Sequence, residues 1–201
     1  MRAARKAILL VGCVLAVVAV LVGFRLSFRP YIIASGSMEK TLMVRDGILV
    51  DHISTILGRL PQRGDVTVFR YPIDRQQIFV HRIVGIPGDR LAVRNKTLYR
   101  NGAEVLEPYA QHITKYVDAY RDNFPSTPSF PLAERAQDMI GHHVENGELV
   151  VPAGMYFVMG DNRDDAVDSR YFGLLPRGNV IGRAIYIYAS QDPKRVWKRV
   201  D

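Results

Sequence analysis

Apolar residues are distributed along the chain in two regimes. Ala7 to Phe24 is an unbroken run of 18 residues without a charge. As a helix it would measure roughly 27 Å, close to the ~30 Å hydrocarbon core of a bilayer. Arg2, Arg5 and Lys6 precede it, which favours a cytoplasmic N-terminus over residues 1–6; Arg25 and Arg29 follow and weaken that bias. The competing reading is a cleavable signal peptide. The run is long for the apolar part of such a peptide and no Ala-x-Ala follows closely, so residues 7–24 are expected to be an uncleaved transmembrane anchor. Residues 25–201 would then lie outside the cytoplasm as one domain.

After the anchor the pattern changes to short alternating or apolar blocks. Tyr31–Ala34, Ile48–Asp51, Val66–Tyr71, Ile78–Ile86, Leu91–Val93, Thr97–Tyr99, Met155–Met159 and Ala184–Ala189 read as strands. Turn residues separate them: Asp46-Gly47, Pro87-Gly88-Asp89, Asn95-Lys96 and Asn101-Gly102. Short strands between such turns predict an all-β domain of mainly antiparallel sheets. Residues 107–147 lack alternation and carry Pro108, Pro125, Pro128 and Pro131, so they read as an insertion on the β core. Within it, Ala133–Ile140 has the makings of a short helix. The tail Lys194–Arg199 mixes Trp197 with cations and suits either a membrane interface or solvent.

Charge narrows the partner class. The net charge is +7, which nucleic acid or an anionic membrane surface could answer. The basic residues beyond the anchor are scattered, with no long block, which favours the membrane and argues against nucleic acid. The single cysteine, Cys13, lies inside the apolar run, so no disulfide within the chain is possible. No HExxH or paired CxxC occurs, and His142-His143 are poorly placed to share one ion; neither metal nor cofactor is expected.

Four segments carry candidate chemistry. They are Ser35-Gly-Ser-Met38 with Thr41-Leu42, Arg63–Pro72, Phe79–Asp89 and Gly160–Gly173. Their order and spacing resemble the characteristic boxes of bacterial type I signal peptidases, membrane-bound serine endopeptidases that remove signal peptides from exported preproteins. The resemblance runs from about Ser27 to Ala189. It implies a signal-peptidase-like β fold, signal peptides and membrane lipids as partners, and a single-pass position in the cytoplasmic membrane. It also implies cleavage after small residues of the Ala-x-Ala type, with the substrate added as a strand along a sheet edge. Ser37 matches the nucleophile, a hydroxyl that needs a neighbouring base. Ser35 matches the hydroxyl that joins the Ser37 N–H in holding the oxyanion. Ile33, Met38, Phe79 and Val80 match pocket-lining positions, although core packing would suit the same side chains.

The chain departs from the bacterial pattern where the base should be. His81 stands at the position of the family's lysine, and Ala166 replaces a serine whose hydroxyl helps place that lysine. Ala34 and Lys40 replace two prolines of the first box. Histidine, with an unperturbed pKa of about 6.5, is mostly neutral near pH 7 and can act as a base without burial, so activity rising through about pH 6–7 is expected. A Ser–His pair here resembles the endoplasmic-reticulum and archaeal branch, in which an aspartate orients the imidazole. Asp161, Asp164, Asp165 and Asp168 are candidates, with Asp168 favoured; a salt bridge from Asp168 to Arg170 is the alternative. The double change at His81 and Ala166 leaves two further possibilities: a weak or inactive relative that binds signal peptides, and a peptidase specialised for few substrates.

Overall fold

The computed structural model describes the backbone of residues 2–201; side chains of residues 2–9, 20, 21, 24 and 26 lie outside the described set. The chain begins with helix α1 (Arg2–Ser27) and passes directly into strand β1 (Phe28–Ile32). Pro30 accounts for the change, because the residue before a proline is driven toward extended conformations. Strand β2 (Gly47–Asp51) and a short helix α2 (Ile53–Ile56) follow, then β3 (Val66–Arg70) and β4 (Ile78–Gly85). A second group comprises β5 (Arg90–Arg94), β6 (Thr97–Arg100), β7 (Ala103–Glu104), α3 (Glu134–His143), β8 (Val144–Glu145) and β9 (Glu148–Val150). The chain closes with β10 (Met155–Met159), α4 (Ser169–Phe172), β11 (Leu175–Pro176) and β12 (Val180–Ala189).

These strands form two antiparallel sheets. The larger has the order β1-β2-β12-β3-β4-β10-β11 and the smaller β7-β6-β5-β9-β8. Pro30 is tolerated because β1 is an edge strand, where a missing N–H breaks no inner ladder. Two boxes meet at the join between the sheets. Arg63 grips Asp89 through two hydrogen bonds of 2.8 and 2.6 Å, and Asp89 also accepts the Ile86 N–H at 2.9 Å. The turn after β4 is thereby fixed to the loop before β3.

Several boundaries differ from the sequence reading, and the first strand spans Phe28–Ile32 where Tyr31–Ala34 was expected. Strand β12 begins at Val180, earlier than the expected Ala184. Gly182 hides its first half: the pairing with β3 is irregular between Val180 and Gly182, and a Cβ at Gly182 would meet the Asp51 carbonyl at 2.3 Å. A glycine inside a strand often marks such a bulge and close approach. Helix α3 runs on to His143 and leads straight into β8, so the end of the 107–147 segment belongs to the smaller sheet. Phe124 and Met139 from this segment are buried with Leu91, Leu149 and Phe157.

Among the described residues, no helix is long and apolar enough to cross a membrane. The expected anchor at 7–24 falls within the continuous helix α1, but several of its side chains lie outside the described set.

Candidate active site

A single turn carries the candidate nucleophile. Ser35 is extended (φ −132°, ψ 160°), and Gly36–Met38 form one 3₁₀ turn. Gly36 leaves no side chain between the two serines, and the hydroxyls of Ser35 and Ser37 lie 3.2 Å apart. The turn is pinned from behind by the loop after β10. Asn162 donates its backbone N–H to the Ser37 carbonyl at 3.0 Å and its side-chain amide to the Gly36 carbonyl at 3.1 Å. Asp161 N–H donates to Met38 Sδ at 3.4 Å. Gly160 must stay small, because a Cβ there would lie 2.6 Å from the Ser37 carbonyl oxygen and 2.4 Å from Ala166 Cβ. Asn162 is a contributor that the sequence did not single out; its role depends on contacts more than 120 residues away, which no local pattern signals.

His81 projects from β4, buried to 1% exposure. Thr67 on β3 is its direct partner in the register, and Phe69 pairs with Phe79 two residues on. Three rings surround the imidazole: Phe69 at 5.8 Å, Phe79 at 6.0 Å edge-on, and Phe172 at 6.5 Å and nearly parallel. This apolar box disfavours the charged imidazolium. Burial pushes the His81 pKa down to about 4, only partly countered by Asp168 and Asp161, while Arg170 adds to the depression. The ring is therefore neutral at physiological pH. Its Nδ1 is buried and has no hydrogen-bond partner among the described residues.

Ser35, Ser37 and His81 line one cleft of about 370 Å³. One wall is the run from Tyr31 to Ser35 that continues edge strand β1, and the other is the start of β4 from Ile78 to Val80. Ile33, Met38, Phe79 and Val80 all line it. Ile33 and Met38 are also part of the buried core beneath, so the pocket and packing roles coincide in them. Ile32, Ala34, Asp165 and Val167 complete the rim, and of these Ile32 and Val167 were not singled out by the sequence. Among the described residues no hydrogen bond joins Ser37 to His81.

The expected contact between Asp168 and His81 is not formed. Asp168 holds Arg170 through bonds of 2.8 and 2.7 Å and also accepts the backbone N–H groups of Arg170 and Gly160. It is the N-cap of α4, and the guanidinium two residues on matches its carboxylate fork, so neither oxygen is left for the imidazole. The other candidates are engaged elsewhere. Asp161 pairs with Arg82, and Asp164 is surrounded by Lys96, His112 and the Thr114 N–H. Asp165 remains exposed on the cleft rim.

The wall behind the site is built from buried ion pairs. Arg82 and Asp161 share hydrogen bonds of 2.8 and 2.6 Å with both side chains at or below 2% exposure. Arg163 is likewise paired with Glu107 at 2.6 Å. Asp161→Ala should destabilise the fold by about 3–5 kcal/mol, because it strands a buried guanidinium. Arg199→Ala, from an exposed pair at 62% and 79%, should cost under about 1 kcal/mol. Chemical denaturation of both variants checks this, and equal costs would refute the structural role of the wall.

Comparison with known proteins places the chain in a family. The family described as "Signal peptidase, peptidase S26" matches residues 5–189. Signal peptidase I of Pseudomonas fluorescens is 36% identical over 202 residues, covering 83% of this chain and 66% of the relative. Signal peptidase I of Aquifex aeolicus is 33% identical over 196 residues, covering 81% of this chain and 76% of that protein. The chain thus spans about two thirds of the length of the Pseudomonas relative. A crystal structure of signal peptidase I from Enterococcus faecalis V583 aligns at 31% identity over 62% of this chain and 97% of that chain, with a TM-score of 0.42.

Proposed function

This chain belongs to the S26 signal peptidase family, and from that premise we propose that it is a membrane-bound serine endopeptidase that cleaves signal peptides from exported preproteins. The observation that carries the proposal is the shared cleft: two serine hydroxyls 3.2 Å apart and a buried, neutral imidazole line one apolar groove beside an edge strand.

In this reading an extended substrate segment lies between the Tyr31–Ser35 run and the start of β4. Its backbone pairs with the cleft walls, and alternate side chains enter the pockets formed by Ile33, Met38, Phe79 and Val80. Ser37 Oγ attacks the scissile carbonyl while His81 takes its proton. The negative charge that develops on the carbonyl oxygen is held by the Ser37 N–H and the Ser35 hydroxyl. His81 then returns the proton to the leaving amine, and water hydrolyses the acyl-enzyme through the same groups.

Helix α1 supports the membrane part of the proposal. Leu10, Val14, Leu15 and Val18 are all about half exposed or more, and among the described residues none of α1 belongs to a buried core cluster. With Arg2, Arg5 and Lys6 in its first turns, ahead of the apolar run, α1 is proposed as a single-pass anchor with its N-terminus in the cytoplasm. Because α1 runs straight into β1, an anchored helix would hold the cleft close to the bilayer, where signal peptides are delivered.

The test is a preprotein with an Ala-x-Ala site digested by the full chain in detergent. Cleavage should follow the second alanine, and a bulky residue in place of either alanine should cut the rate at least ~10-fold, since a shallow pocket cannot accept it. Equal cleavage of the bulky variants would reject the proposed pockets. The missing Ser37–His81 hydrogen bond and the unpartnered Nδ1 favour a second reading, an inactive signal-peptide-binding relative; that reading requires binding of the preprotein without any turnover.

A further inference from the structure

We propose that Thr67 is the positioning residue for His81, accepting the Nδ1–H of the imidazole and so presenting a bare Nε2 to Ser37. This deepens the reading of His81 as the general base and rests on it.

The need for such a residue follows from the tautomer. A neutral imidazole carries one proton on either nitrogen. To accept a proton from Ser37, Nε2 must be bare, which puts the proton on Nδ1. Among the described residues His81 Nδ1 is buried without a partner, and an unsatisfied N–H there pays its full desolvation cost. With nothing to receive it, the proton would move to Nε2 and the base would be blocked. Asp168 cannot help, since Arg170 and two backbone N–H groups occupy it. Ala166 has no hydroxyl to offer.

Thr67 has the required position. It is the direct register partner of His81 across β3 and β4. Directly opposed residues point to one face, with Cβ atoms roughly 4.5–5.5 Å apart. The face is confirmed by Phe69, two residues from Thr67, whose ring contacts His81. Thr67 is 1% exposed, so water does not compete for its hydroxyl. That hydroxyl donates to the Asp65 carbonyl over a long 3.4 Å, which leaves its lone pairs available. In the proposed arrangement a chain runs from His81 Nδ1–H to Thr67 Oγ1 and on to the Asp65 carbonyl. The charged groups around this row are Arg183, the β12 partner of Thr67, with Asp65 just before β3, and Asp168, Arg170 and Asp161 near the ring. Arg183 Nε, on the other register partner of Thr67, is also buried and unpartnered among the described residues.

The experiment uses the full chain in detergent with ¹⁵N-labelled histidine. His81 is identified by the signals lost in His81→Gln. At pH 7 the wild type and Thr67→Ser should show the proton on Nδ1. Thr67→Val, close in shape but without the hydroxyl, should shift it to Nε2 and lower kcat roughly 10-fold or more at unchanged KM, with Thr67→Ser recovering most of it. A proton on Nε2 in the wild type, or an unmoved proton in Thr67→Val, overturns the proposal, even if activity falls. Full activity in His81→Gln would instead overturn the general-base reading, and the tautomer measurement would still decide the role of Thr67.

Discussion

His81→Ala should lower the cleavage rate by at least ~10²–10⁴-fold, the range typical of a lost general base. The fold should survive, because the box of Phe69, Phe79 and Phe172 remains packed around the vacancy. The pH profile adds a sharper signature. The unperturbed imidazole would give an acid limb at about pH 6–7, as the sequence alone suggests. Burial instead pushes the His81 pKa to about 4. The base is lost only when protonated, so the rate should fall as the pH drops through about 4 and stay level from about 5.5 to neutrality. The rate of a saturated peptide substrate against pH measures this; a rate still climbing above pH 7 would mean that another group is the base.

The same depressed pKa links to stability with a definite sign. Between about 6.5 and about 4 the unfolded chain binds a proton that the native ring refuses. Native stability from this group is therefore intact above about pH 6.5 and falls as the pH is lowered toward 4, by about 3 kcal/mol in all. His81→Gln should flatten this part of the stability–pH curve, as followed by denaturant titration. An unchanged slope would place the imidazole in water rather than in the aromatic box.

The features legible in the sequence were those written locally. Ser35-Gly-Ser-Met38 is contiguous, and its two hydroxyls meet as the motif suggests. The alternation of Val66–Tyr71 and the apolar runs at Ile78–Ile86 and Met155–Met159 marked β3, β4 and β10 nearly to the residue, since each pattern belongs to one strand by itself. Glycine defeated the same signal in β12, where Gly182 serves a bulge and a close approach to Asp51 rather than a side-chain face. Partner choice among the aspartates was not legible. Four stood in one box, and which one reaches His81 depends on where Arg82, Lys96 and Arg170 take their own carboxylates. Asp168 was settled by a competitor only two positions away, yet that competition is decided by the fork geometry at the start of α4 and not by spacing. The depth of His81 was hidden too, because Phe172 comes from a segment some 90 residues later and closes the box only in the folded chain.

The account centres on Ser37 as a nucleophile that acts on signal peptides. The most direct measurement is the side-by-side digestion of one Ala-x-Ala preprotein by wild type and Ser37→Ala, purified in the same detergent and matched by thermal melt. The products are read by intact mass. Wild type should release a fragment ending at the second alanine, and Ser37→Ala should release none above the uncatalysed background while melting within a few degrees of wild type, on the order of the change for a half-buried side chain. Cleavage at the same bond by Ser37→Ala at a rate near that of wild type would contradict the account.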